Sequence, residues 1–104
     1  LLRLTGAFAP AGPASASEAQ AAALCERAAD AARRGDYSAA YVHLDQAKAL
    51  APELVLVWQY ESNVAYLAGD RERSVAALER ALALEPDNAL FRTNLERLRA
   101  LDRP

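Results

Sequence analysis

Few side chains in this sequence have the types and spacing that catalysis needs. His43 is the one histidine and Cys25 the one cysteine, so a Ser–His or Cys–His pair would have to use His43. These counts also exclude a disulfide within the chain and a metal site built from several His or Cys ligands. Asp45 lies two positions after His43, and residues i and i+2 of a helix point in different directions. We therefore expect no enzyme activity, no metal and no cofactor.

The composition favours a small helical protein. The chain has 104 residues, enough for one domain, and 26 of them are alanine, the strongest helix former. Glycine is scarce and β-branched residues are few, which argues against an all-β fold. A net charge of −2 supplies no basic field for nucleic acid. No apolar run approaches the ~20 residues that a membrane span requires. We expect an all-α protein that neither binds nucleic acid nor spans a membrane.

Residues 1–17 differ in character from the rest of the chain. Pro10, Gly12 and Pro13 prevent a regular helix and are typical of a linker. The first eight residues form a short apolar tip. Three interpretations stay open: a flexible linker, an apolar arm that docks on this or a neighbouring molecule, and the remnant of a secretory signal. The absence of a charged start and the short apolar run count against the signal.

From Ser15 onward the pattern predicts helices separated by short turns. Ser15 and Glu18 have the spacing of a capping box, which satisfies free backbone N–H groups at a helix start. Gly35 suits the left-handed residue that ends a helix, and Asp36 suits the N-cap of the next one. The expected helices cover about residues 15–34, 37–50, 53–68, 71–84 and 88–101.

The sequence contains an internal repeat, in which residue 21 corresponds to residue 55. Residues 21–54 align with residues 55–88 at positions where helix geometry is demanding, namely the turn, the small contact residues, the apolar seam and the closing proline. The matched pairs include Gly35 with Gly69, Asp36 with Asp70, Leu44 with Leu78, Ala47 with Ala81 and Pro52 with Pro86. A fixed period of about 34 residues indicates stacked helical hairpins, each unable to bury its apolar face alone.

The second copy carries Trp58, Ala65, Gly69, Leu78 and Pro86 at spacings that resemble the tetratricopeptide repeat (TPR) family. The resemblance covers about residues 18–101. It implies an α-solenoid of five antiparallel helices that form a right-handed superhelix, within a domain of residues 18–104. The expected units are a first repeat at about 21–54, a second at about 55–88 and a C-terminal capping helix at about 88–101. Trp58, Leu44, Leu78, Leu82 and Leu95 are expected in the core.

Two charged residues depart from the family's pattern. Glu61 replaces a leucine of the first helix of the second repeat, and Arg27 occupies the equivalent position of the first repeat. This position is usually packed between helices. The charges therefore imply that these residues are exposed, that Arg27 pairs with Glu61, or that the first helices are slightly rotated.

The resemblance implies a concave groove lined by the first helix of each repeat and by the capping helix. On these walls Arg33, Gln59, Asn63, Tyr66 and Arg97 have side chains suited to peptide recognition. The amides can donate to and accept from a peptide backbone, and the guanidinium groups can bind carboxylates. Two alternatives stay open: that these residues are merely solvated, and that Tyr66 packs in the core. The other wall positions are Cys25, Ala29, Ala32, Leu67, Thr93 and Leu101.

One branch of the family is disfavoured. TPR domains that bind the acidic C-terminus of chaperones use a clamp of Lys, Asn and Arg side chains. The corresponding positions here are Cys25, Ala29, Tyr60, Leu90 and Asn94, none of them a cation.

The sequence thus predicts a non-catalytic module for protein–protein interaction that binds a peptide or a helix in its groove. The alternative is a structural or oligomerising segment of a larger protein, such as an enzyme or a secretion component, with homo-oligomers formed through residues 1–14. The identity of the partner stays open. The composition, rich in Ala, Arg and Leu, is typical of a bacterial protein, and a cytoplasmic location is slightly favoured over the periplasm.

Overall fold

The computed structural model describes residues 15–101, and these residues form helices without any strand. The helices are α1 (Ala16–Arg33), α2 (Tyr37–Leu50), α3 (Val55–Leu67), α4 (Arg71–Leu84) and α5 (Ala89–Ala100). The all-α prediction is confirmed, and α2 and α4 have the predicted bounds. The expectations for the linker and for oligomerisation through residues 1–14 lie outside the described residues. Within residues 15–101, no helix combines the length and the apolar character needed to cross a membrane.

A polar side chain caps the N-terminus of α1, α2, α4 and α5. Ser15 Oγ accepts from the backbone N–H of Glu18 at 3.1 Å, and the Glu18 carboxylate accepts from the backbone N–H of Ser15 at 3.2 Å. The predicted capping box is therefore present. Asp36 and Asp70 cap α2 and α4 in the same way, each through a hydrogen bond of 3.1 Å. Asn88 caps α5, while α3 has no side-chain cap.

The turns that end α1 and α3 have the same geometry, one repeat period apart. Gly35 and Gly69 have φ angles of +79° and +81°, a region that a residue with a Cβ adopts only at a cost. The backbone N–H of the following residue then reaches back to a carbonyl of the last helical turn. Asp36 donates to Ala31 and Asp70 donates to Ala65, both at 2.9 Å. These bonds satisfy carbonyl groups that the helix end would leave free.

The helices pack as two hairpins followed by a fifth helix. α1 packs against α2, and α3 packs against α4 and also against α1 and α2. α5 packs against α4. However, no Cα atom of α5 lies within 8 Å of a Cα atom of α3, whereas α1 and α3 do approach this closely. The backbones of α3 and α5 are therefore farther apart than those of α1 and α3, although Val55 and Trp58 of α3 pack against the cluster that contains the apolar residues of α5.

Apolar side chains are buried in two clusters. The first joins α1, α2 and α3 through small alanines and through Leu44, Val57 and Val64. The second joins α4 and α5 and consists of Leu78, Ala81, Phe91, Leu95 and Leu98. The predicted core positions Leu44, Leu78 and Leu95 are buried. Trp58 and Leu82 are only partly buried, at the edge of the second cluster.

Glu61 differs most from its expected environment. Its carboxylate is buried and lies 2.7 Å from Lys48 Nζ and 3.3 Å from Arg73 Nη2. The expected exposure of Glu61 and its pairing with Arg27 are therefore wrong, because Arg27 is exposed on α1 while α2 and α4 supply the cations. The charge at this seam is neutralised by the second helices of both hairpins.

Candidate functional site

Three predicted site residues lie on one side of α3. Gln59, Asn63 and Tyr66 follow each other at intervals of four and three residues, which places them on neighbouring turns of the same face. Gln59 and Asn63 are half-buried. Tyr66 is 44% exposed, so the alternative that it packs in the core is wrong.

A cleft of about 390 Å³ lies at the C-terminal ends of α3 and α5. Its volume falls within the range of typical ligand sites, roughly 300–1,000 Å³. Tyr66 of α3 lines one side of it, and residues between Asn94 and Leu101 line the rest. Two predicted site residues, Tyr66 and Arg97, meet in it. Its lining consists of Tyr66, Asn94, Arg97, Leu98, Ala100 and Leu101.

Asn94 is the polar residue that the sequence analysis missed as a site candidate. Its side chain is 3% exposed, and its Nδ2 atom is covered without a hydrogen-bond partner among the described residues. Phe91, Leu95 and Leu98 bury the same face of α5. A signal was present, because Asn94 interrupts an apolar stripe with spacing i, i+3, i+4 and i+7, where an amide is unusual.

Arg33 does not line the cleft. It forms an ion pair with Asp30 on its own helix. Its positive charge also acts to lower the pKa of Tyr60 on α3, against the larger effects that raise it. The Tyr60 hydroxyl donates to Glu26 Oε1 at 2.7 Å and so links α3 to α1. Two effects raise the pKa of Tyr60 above its ordinary value: burial, which is the larger, and this hydrogen bond to Glu26. Tyr60 therefore acts as a neutral donor that fixes these two helices together.

Cys25 belongs to the core rather than to a groove wall. Its side chain is fully buried, as is nearly all of Ala32 on the same helix, so the expectation that both line the groove is wrong. Burial, assisted by the charge of Glu26, raises the pKa of the Cys25 thiol to about 12. A thiol with this pKa supplies almost no thiolate near neutral pH, and the thiolate is the nucleophilic form.

His43 is half-buried on α2, and its Nδ1 atom is covered without a hydrogen-bond partner in the described part of the chain. Residues 15–101 contain no group of three or more His, Cys, Asp or Glu side chains placed to hold one metal ion.

The cleft combines apolar walls from Tyr66 and Leu98 with the guanidinium of Arg97 and the amide of Asn94. Such a lining can hold an apolar side chain and donate hydrogen bonds to carbonyl or carboxylate oxygens. The chain matches no protein-family model, no curated protein and no solved structure, so its own geometry alone bears on its function.

Proposed function

We propose that the chain is a non-catalytic protein–protein interaction module, built from two TPR-like hairpins and a capping helix, that binds a peptide or a helix of a partner protein. The observation that carries this proposal is the cleft between α3 and α5. There Tyr66 and Arg97, from different helices, line one recess with exposed aromatic and cationic surface. Aromatic and arginine side chains are the types enriched where binding energy concentrates at protein interfaces.

A repeated contact supports the TPR-like part of the proposal. Trp58 Nε1 donates to the carbonyl of Pro52 at 2.8 Å, and Arg92 Nη2 donates to the carbonyl of Pro86 at the same distance. The two donors are one repeat period apart, and so are the two acceptors. α3 and α5 are thus each anchored to the turn before them in the same manner, as expected of stacked repeats.

Exposed apolar surface next to the cleft also supports a binding role. Leu101, just after α5, is 53% exposed, and Tyr66 of α3 is 44% exposed. Both line the cleft, so exposed apolar surface from two parts of the chain meets there. Grouped apolar side chains on a small protein are typical of surfaces that bind another molecule.

The proposal is tested by selecting binders to the full chain from a random-peptide phage library. The affinity of a selected peptide, prepared synthetically, is then measured by calorimetry. We expect Tyr66→Ser and Arg97→Ala each to weaken binding about 5- to 30-fold, the range for truncating an important contact. Arg27→Ala is the matched control, because Arg27 is exposed on α1 outside the cleft, and it is expected to bind like the parent.

Two results would reject this function for the cleft. One is a failure of the library to yield any peptide that binds the folded chain. The other is parental affinity in both cleft variants, which would show that the selected peptide binds elsewhere. Circular dichroism of each variant establishes that the helices are intact.

A further inference from the structure

We infer that Tyr37 and Arg71 are positioning residues for the cleft. Each lies outside it, and each hydrogen-bonds the end of a helix that supplies one of its walls. This inference rests on the proposed function and adds two residues that control the shape of the same cleft without touching the ligand.

Two equivalent hydrogen bonds join the start of one helix to the end of the helix that follows it. The Tyr37 hydroxyl donates to the carbonyl of Leu67 at 3.2 Å, and Arg71 Nη1 donates to the carbonyl of Leu101 at 3.0 Å. Tyr37 and Arg71 are the first residues of α2 and α4. The two donors are one repeat period apart, and so are the two acceptors. A contact that recurs at equivalent places belongs to the way in which the repeats stack.

Both bonds reach the walls of the cleft. Leu101, whose carbonyl accepts from Arg71, is itself a lining residue. Leu67, whose carbonyl accepts from Tyr37, directly follows Tyr66, which lines the α3 side. Tyr37 and Arg71 do not line the cleft. The two walls are therefore held from outside the surface that a ligand would contact.

The ends of α3 and α5 depend on such bonds because the apolar contact between these helices lies elsewhere. The cluster that contains the apolar residues of α5 receives Val55 and Trp58 from α3, and both lie in the first half of that helix. The last carbonyl groups of a helix have no partner within it, and helix ends open at little cost in free energy. A donor from the preceding helix opposes this opening at each wall.

The two bonds are not equally important. The end of α3 has a further restraint, because the backbone N–H of Asp70 donates to the carbonyl of Ala65 at 2.9 Å. We therefore expect the bond of Arg71 to affect the cleft more than the bond of Tyr37. A wall that is already fixed loses less conformational freedom when a ligand binds, so both bonds should increase affinity.

Amide hydrogen exchange of the ligand-free chain, followed by NMR, tests whether the bonds act locally. Tyr37→Phe removes only a hydroxyl group and should accelerate exchange several-fold in the last turn of α3, but not in α5. Arg71→Met should do the reverse, with the faster exchange at residues 98–101. Arg71→Lys keeps a donor and should fall between Arg71→Met and the parent. Ser38→Ala and Glu72→Gln, at the neighbouring exposed positions of α2 and α4, are the controls.

The affinity of the library-selected peptide tests whether the bonds shape the cleft. We expect a loss of about 3- to 10-fold in Arg71→Met and of about 2- to 5-fold in Tyr37→Phe, the effect of one hydrogen bond. Both controls should bind like the parent. In a Leu101→Ala background, Arg71→Met should cause less than about a twofold further loss, because the side chain that Arg71 positions is then absent.

Three results would overturn the inference. One is faster exchange throughout the chain in Tyr37→Phe and Arg71→Met, since the bonds would then stabilise the whole fold equally. Another is parental affinity in both variants. The third is a full further loss from Arg71→Met in the Leu101→Ala background. If Tyr66→Ser and Arg97→Ala still weaken binding, each of these results leaves the proposed function intact. A library that yields no peptide rejects both.

Discussion

Ser62 and Ser74 donate to each other's backbone carbonyls across the contact between α3 and α4. The Ser62 hydroxyl lies 3.0 Å from the carbonyl of Ser74, and the Ser74 hydroxyl lies 2.9 Å from the carbonyl of Ser62. Both side chains are fully buried. The positions one repeat period earlier are Ala28 and Ala40, which are buried as well. The two hairpins thus use the same small contact, and only the second adds hydrogen bonds to it.

Replacing Ser62 by alanine should lower the free energy of unfolding by about 0.5–1.5 kcal/mol, the net contribution of one hydrogen bond. Chemical denaturation of the parent and the variant measures this difference. Ser38→Ala, at an exposed position of α2, is the control. A Ser62→Ala variant as stable as the parent would show that the hydrogen bonds of the two hydroxyl groups add no net stability to the fold.

Replacing Glu61 by glutamine should destabilise the fold by about 1–3 kcal/mol, because it removes the charge that Lys48 and Arg73 share. We place the effect below that of breaking a fully buried ion pair, since both cations keep access to solvent. Denaturant titrations of Glu61→Gln and of Glu96→Gln, an exposed control on α5, measure it. Equal stability of the two variants would contradict a stabilising role for this buried carboxylate.

Replacing Gly69 by alanine should cost about 1–2 kcal/mol of stability through backbone conformation alone. The φ angle of +81° disfavours any residue with a Cβ, whereas no atom lies within 4 Å of the place where that Cβ would sit. Gly69→Asn should cost less, because asparagine tolerates this region better. Thermal melts of both variants provide the comparison. An asparagine variant less stable than the alanine variant would refute the conformational explanation.

Stability should fall as the pH rises above about 9, through the Cys25 thiol. Its pKa is 9.0 ordinarily and about 12 in the folded protein, so the unfolded chain loses this proton first. The contribution is complete below pH 9 and is lost as the pH rises towards 12, with a slope of at most about 1.4 kcal/mol per pH unit.

Cys25→Ala should flatten the stability profile between pH 9 and pH 10. Above that range the raised pKa values of Tyr60 and Tyr41 add a slope of the same sign. Urea midpoints measured at closely spaced pH values test this expectation. An unchanged profile in the variant would mean that the thiol titrates normally in the folded chain.

The helices and their turns could be predicted because short stretches of sequence determine them. Asp36 and Asp70 cap the helix in which they begin, and Gly35 and Gly69 are needed by the turn in which they lie. The fixed repeat period then predicts that the same turn recurs. None of these inferences depends on the angle at which one helix crosses another.

The site was harder to predict because it depends on that angle. The resemblance placed Cys25 on a groove wall, and the packing of α1 buries it. Asn94 was not among the predicted site residues, because only the packing of α5 shows that it lines the cleft. The structure brings Tyr66 and Arg97 together in one recess, whereas Arg33 does not line it.

The contacts of Trp58 with Pro52 and of Arg92 with Pro86 have a consequence for how such a chain tolerates mutation. An indole and a guanidinium perform the same anchoring task at equivalent places, because the proline carbonyl needs only an N–H donor at the right reach. These two joints therefore depend on where an N–H donor lies more than on the kind of side chain that carries it.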